Sequence, residues 1–229
     1  MKLVRSASEA EVIAEFLRSE YHQKEYHHDR AEFESLVLAG DLNDEKQNAI
    51  RRELLFRRHR VTWNELPNDV CWSLAQLDVE DIDKLRIFPR GHWPKMAAGA
   101  TLTVAGMMES IRNRRFCVST TEDVCAIHAL AYRMKQVGDA SSILIIGIDV
   151  DNPLTILEGN HRVLAAALHA PDRVCSFRTY LGLSSKMDTC YWYKTNNRIF
   201  VRHAWRRIRN LQPRFIKAMK NLSMPLFSE

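Results

Sequence analysis

Apolar and polar positions along the chain follow two different periods, and the change of period divides it into regions. Over residues 8–21, Val12, Ile13, Phe16 and Leu17 recur at helical spacing, with Glu9 and Glu11 in the first turn where their charge suits the helix dipole. A second helix is predicted over 29–38, stopped by Gly40, and a third from Asn43 or Asp44 to His59. In the third, Ile50, Leu54 and Leu55 face inward, while Arg51, Arg52, Arg57, Arg58 and Arg60 crowd the C-terminal half in an order that suits the dipole, and the end cluster Arg57-Arg58-His59-Arg60 reads as solvated charge. After Pro67 the pattern alternates: residues 70–77 read as a strand and 79–85 as a short helical or turn segment. Helical spacing returns over 103–112 and 121–136. Residues 142–150 are nearly continuous in β-branched and apolar side chains, as a central strand covered on both faces should be. Leu154 to Leu157 form a further strand, Val163 to Leu168 an Ala-rich helix, and residues 174–181 the next strand. The pattern predicts an α+β domain over 67–188, a helical N-terminal extension over 1–66, and a helical tail over 189–229.

Composition changes this picture in one place. At 46% hydrophobic and 27% charged, the 229 residues have the make-up of a globular chain. No apolar run approaches the roughly 20 residues of a membrane span, and the first residues lack a signal-like apolar stretch, so a cytoplasmic protein is expected. The net charge of +5 is a property of the tail: residues 1–188 carry 24 basic against 27 acidic side chains, a balance of −3. The helical spacing of 198–211 gathers Arg198, Arg202, Arg206 and Arg209 on one ridge. The five cysteines are odd in number and widely spaced, which suggests neither a disulfide framework nor a zinc knot; most are expected to be buried as small apolar residues.

Candidate chemistry concentrates at the junction of strand and Ala-rich helix, where Glu158, Gly159, Asn160, His161 and Arg162 follow one another. The first backbone N–H groups of a helix have no intrahelical partner and the dipole is positive there, so such a junction favours an anion. Residues 89–96 form a second candidate, a Pro- and Gly-rich loop presenting Arg90, His92, Trp93 and Lys95. Two other histidine groups carry less: His22, His27 and His28 lack the i, i+4 spacing of a metal helix, and His128 lies among apolar neighbours as a packed histidine.

The run strand, Glu158-Gly159-Asn160-His161-Arg162, Ala-rich helix, strand resembles the ParB/sulfiredoxin superfamily, most densely over 143–181 and more loosely over 70–183. The resemblance implies a mixed sheet with flanking helices, and a loop and helix N-terminus that bind nucleotide phosphates: CTP in chromosome-partitioning ParB proteins, ATP in sulfiredoxins, adenine nucleotide in ParB-like free-serine kinases. It assigns the phosphates to Gly159, Asn160, His161 and Arg162, with Arg90 and His92 approaching from the earlier loop. Asn160 stands where sulfiredoxins carry their cysteine, which removes sulfinic-acid reduction. The Gly-Glu-Arg-Arg box of partitioning ParB proteins is absent, and no helix-turn-helix pattern follows Leu183. A Fic-type adenylyltransferase loop shares Glu-Gly-Asn but needs an upstream histidine, and the residues before Glu158 supply none.

The expectation is therefore a nucleotide-binding enzyme, a phosphotransferase or nucleotide hydrolase acting with a small-molecule acceptor. Glu158 would hold Mg2+ or take the acceptor's proton, His161 would donate to a phosphate oxygen, and Arg162 and Arg90 would offset its charge, with ATP, ADP or CTP as the nucleotide. The alternative is a nucleic-acid-binding protein or nuclease that uses the arginine ridge on phosphates and Tyr191, Trp192 and Tyr193 for stacking.

Overall fold

The computed structural model describes residues 1–21, 23, 26–137 and 141–193. Six strands form one mixed sheet: β1 (Lys2–Ser6), β2 (Cys71–Gln76), β3 (Leu85–Arg86), β4 (Ser142–Gly147), β5 (Leu154–Glu158) and β6 (Arg178–Leu183), in the spatial order β1, β2, β6, β4, β5, β3. The most apolar run of the sequence is the interior strand β4, buried along its whole length. It lies parallel to β6, with Leu144 opposite Tyr180, and antiparallel to β5, with Ile145 opposite Ile156. Its side chains alternate between two cores: Ile143 and Ile145 enter one, Leu144 and Ile146 the other.

Helices cover both faces. On the Ile143 face pack α4 (Trp93–Ala97), α5 (Val104–Arg112), α6 (Thr121–Val137) and α7 (Asn160–His169). On the Leu144 face pack α1 (Glu9–Glu20), α2 (Arg30–Ala39), α3 (Glu45–Asn64) and the segment from Met187 to Tyr193. The predicted mixed α+β architecture with flanking helices is present. Among the described residues no helix is long and apolar enough to cross a membrane.

Residues 1–66 differ from the expected all-helical addition. They contain β1, which pairs with β2 along the sheet edge, and α1 supplies Val12, Ile13, Phe16 and Leu17 to the core beneath β4. All five residues of β1 are exposed, so its sequence carries no apolar alternation. Helix α3 is capped by Asp44, whose side chain accepts from the Lys46 and Gln47 N–H groups, and it continues past a kink at His59 (φ −110°, ψ 16°) to Asn64. Arg51, one of the arginines crowding this helix, is 1% exposed; its guanidinium donates to the Leu36 and Asp41 carbonyls and to Asn48 Oδ1. β6 starts at Arg178 rather than 174 because Pro171 opens a 3-10 turn over Pro171–Ser176. Cys71, Cys117 and Cys125 are exposed and only Cys190 is buried, against the expectation for most of them; among the described residues the five cysteines form no disulfide. His128 is also exposed and faces His169, with Nδ1 and Nε2 3.3 Å apart.

Candidate functional site at the N-terminus of α7

The β5–α7 junction is as tight as the sequence suggests. Gly159 alone links strand to helix, at φ 98°. A Cβ there would lie 2.6 Å from Ile143 Cγ2, so both the backbone conformation and the approach of β4 require glycine. His161 and Arg162 then fall in the first turn of α7, on either side of the strand end.

Asn160 faces inward. It is 8% exposed, its Oδ1 accepts from the Phe88 N–H at 2.9 Å, and its Nδ2 donates to the Ile156 carbonyl at 3.3 Å. Its amide is thus committed to the protein rather than to a ligand, and it pins the loop that follows β3 against the start of α7. The bond brings the chain at Phe88 against the junction, and it is made by a residue that the resemblance assigned to phosphate.

Glu158 and Arg162 pair with each other. Arg162 Nη2 bonds Glu158 Oε2 and also donates to the Ser142 carbonyl at 2.8 Å, with the two side chains 14% and 12% exposed. Ser19 of α1, whose hydroxyl donates to the Glu15 carbonyl, lies beside the same carboxylate, and Ser142 Oγ donates to the Glu15 side chain, so the N-terminal helix roofs this network. Burial pushes the Glu158 carboxyl above its usual range, while Arg162, the Gly159 N–H and Ser19 pull it back. Glu158 therefore presents no open carboxylate to a magnesium ion. Both bonds to Arg162 fall on Nη2, which leaves Nε and Nη1 as its remaining donors.

Arg90 lies in the same loop but turns toward the other sheet face. Its guanidinium stacks 3.7 Å over the Tyr191 ring and donates to the Pro89 carbonyl at 2.6 Å. Tyr191, Trp192 and Tyr193 are 6–8% exposed, Trp192 stacks on Phe88 and donates to the Thr62 carbonyl, and Tyr193 donates to the Pro153 carbonyl. They are core residues, not a stacking platform for bases. The arginine ridge of Arg198, Arg202, Arg206 and Arg209, like His22, lies outside the described residues.

His92 and His161 do meet. Their ring centroids are 5.4 Å apart, and Trp93 walls both, at 4.4 Å from His92 and 4.6 Å from His161. Asp123, from the first turn of α6, completes the group: one ligand atom of each of His92, Asp123 and His161 lies within 4.8 Å of the others, and all three residues are half-buried. Burial, helped by His92 and Arg162 and opposed by Asp123, lowers the His161 pKa to about 4, so its imidazole is neutral at pH 7. Asp123 was missed from the sequence, where an acid in the first turn of a helix is fully accounted for by the dipole. A groove of about 500 Å3 between the 3-10 turn Val79–Lys84 and α5, lined by Glu80, Asp83, Met108, Glu109 and Arg112, contains none of these residues. No family model, no curated protein and no solved structure matches this chain.

Proposed function

We propose that the protein is a nucleotide-binding enzyme of ParB/sulfiredoxin-like fold, a phosphotransferase or nucleotide hydrolase that works with a small-molecule acceptor. The observation that carries this reading is the meeting of His92 and His161 at the N-terminus of α7, held by the Asn160 to Phe88 bond. The first N–H groups of α7 and the free donors of Arg162 would take the phosphates, and a neutral His161 would donate to a terminal oxygen without being repelled by Arg162. Trp93 offers an apolar wall beside them. Phosphoryl transfer depends chiefly on positioning and on neutralising developing charge, which is what such an arrangement supplies. Glu158, expected from the sequence to hold magnesium, acts in this reading by positioning Arg162; no step passes through a metal on Glu158.

Titration calorimetry with ATP, ADP, CTP and GTP in magnesium buffer tests the reading. One nucleotide is expected to bind per chain, with binding weakened in His161→Ala, a half-buried site whose truncation strands no charge. Failure of all four nucleotides to bind the wild-type protein would overturn it. Phosphate release from the nucleotide that binds, with and without candidate acceptors, separates transferase from hydrolase.

A further inference from the structure

Three side chains with lone pairs converge in front of α7, and their hydrogen bonding is incomplete. His92 Nε2 is buried, and among the described residues it has no hydrogen-bond partner. A buried imidazole nitrogen left in this way is destabilising unless something fills its coordination. The ligand atoms of His92, Asp123 and His161 all lie within 4.8 Å of one another, close enough to share one bound centre. Three atoms so placed have a common centre no more than about 2.8 Å from each of them. Metal–nitrogen bonds are about 2.1 Å, so side-chain movements of at most about 0.7 Å per ligand close the set. The three residues come from three segments, the β3–α4 loop, α6 and α7, and the Asn160 bond fixes the loop that carries the first. Trp93 shields one side of the two imidazoles.

We infer that His92, Asp123 and His161 form a site for a divalent first-row transition ion, bound by two imidazoles and one carboxylate with further positions open. Two nitrogen donors and a single carboxylate select zinc, iron, manganese or cobalt over magnesium, which prefers an all-oxygen set. The open positions would face the helix end proposed above to receive phosphate, where the ion would act as a Lewis acid. The inference draws on the nucleotide reading only for that last role; the ligand set stands on its own geometry.

The test uses the full-length protein stripped with chelator and titrated with cobalt chloride, then competed with zinc, in the absence of nucleotide. Visible d–d bands that saturate at one cobalt per chain and are bleached by zinc are expected. His92→Ala, His161→Ala and Asp123→Asn should each weaken binding by more than the roughly 10–100-fold that removing a supporting partner costs. The exposed His128 and His169 pair is the rival zinc site, so His128→Ala should leave the titration unchanged. Absence of a one-to-one cobalt spectrum, or a spectrum abolished by His128→Ala and retained in the other three variants, overturns the site. Urea midpoints for each variant separate loss of ligand from loss of fold. Nucleotide calorimetry in magnesium without transition metal is read independently, so either proposal can fail while the other stands.

Discussion

The Phe88 N–H donates to Asn160 Oδ1 at 2.9 Å, joining segments 72 residues apart in the chain. The same amide donates to the Ile156 carbonyl, so one buried side chain fixes the β3–α4 loop, the end of β5 and the start of α7. Asn160→Ala removes both bonds and leaves polar groups buried without partners, which should cost about 1–3 kcal/mol in urea unfolding. Asn160→Asp keeps the acceptor for Phe88 but replaces the donor to Ile156 with a buried charge. It should be no better than the alanine variant at pH 7, and it should recover stability on acidification. Because the loop carries His92, both variants should also weaken ligand binding at α7 by more than their loss of stability explains.

The Glu158 and Arg162 pair makes the arginine a poor probe of binding alone. Arg162→Ala strands a buried carboxylate, and breaking such a pair typically costs about 3–5 kcal/mol. Glu158→Gln leaves Arg162 its bond to the Ser142 carbonyl and should cost less. The pH dependence has a definite sign. Burial raises the folded-state pKa of Glu158 above its ordinary 4.5, so the folded protein holds this proton more tightly than the unfolded chain. Its contribution to stability is therefore most favourable at low pH, falls as pH rises from about 4.5 through the folded value, and is level above that. Removing Arg162 should raise the folded pKa further and widen the decline. Urea midpoints measured between pH 4 and 8 for wild type, Arg162→Ala and Glu158→Gln test this, and the glutamine variant should lack the slope.

How much of this the sequence carried follows from the range of the forces involved. The unbroken apolar run of Ile143 to Ile146 and the helical spacing of Val12, Ile13, Phe16 and Leu17 are local consequences of burying two faces and one face respectively, and both elements stand where the pattern puts them. The β5–α7 turn was legible because Gly159, polar residues and an Ala-rich run occur in succession. What a pattern does not carry is the partner. Asp123 and His161 are brought together by packing of α6 on α7, and nothing in either stretch specifies the other. Arg51 reads as one more arginine of a crowded helix until the turn after α2 wraps its guanidinium in carbonyls. Tyr191, Trp192 and Tyr193 precede a basic tail and take its colour on paper, yet they close the core over α3 and the loop at Phe88. β1 is an edge strand with no buried side chain, so its pairing with β2 leaves no trace in hydrophobicity.

Gly159 and Gly91 offer a controlled comparison at the two ends of the site. Both have positive φ, 98° and 67°. At Gly91 an added Cβ meets nothing within 4 Å, whereas at Gly159 it meets Ile143 Cγ2 at 2.6 Å. Gly91→Ala should cost only the backbone strain, about 1–2 kcal/mol. Gly159→Ala adds a clash with an interior strand, where overpacking costs roughly a further 1–3 kcal/mol, and should displace α7 from β4. Thermal and urea unfolding of the two variants should rank them in that order, and equal losses would mean that Ile143 yields without cost.

His161 supplies a pH dependence of opposite sign to that of Glu158. Its pKa is about 4 in the folded protein against an ordinary 6.5, because burial beside His92 and Arg162 disfavours the imidazolium. Between these values the unfolded chain binds a proton that the folded protein refuses. The stability held by the neutral ring is thus fully present above pH 6.5 and is lost as pH falls toward 4, by at most about 3 kcal/mol. In His161→Gln this component disappears, so the variant should gain on the wild type as pH drops from 6.5 to 4 and run parallel to it above 7. Asp123 opposes the depression, so Asp123→Asn should deepen it, leaving the onset near pH 6.5 but enlarging the acid loss and extending it to lower pH. Parallel curves for wild type and His161→Gln through the whole range would show that solvent or a rotation of the ring relieves the burial. His161 would then be charged in weakly acidic solution and bind phosphate as a cation instead of as a neutral donor.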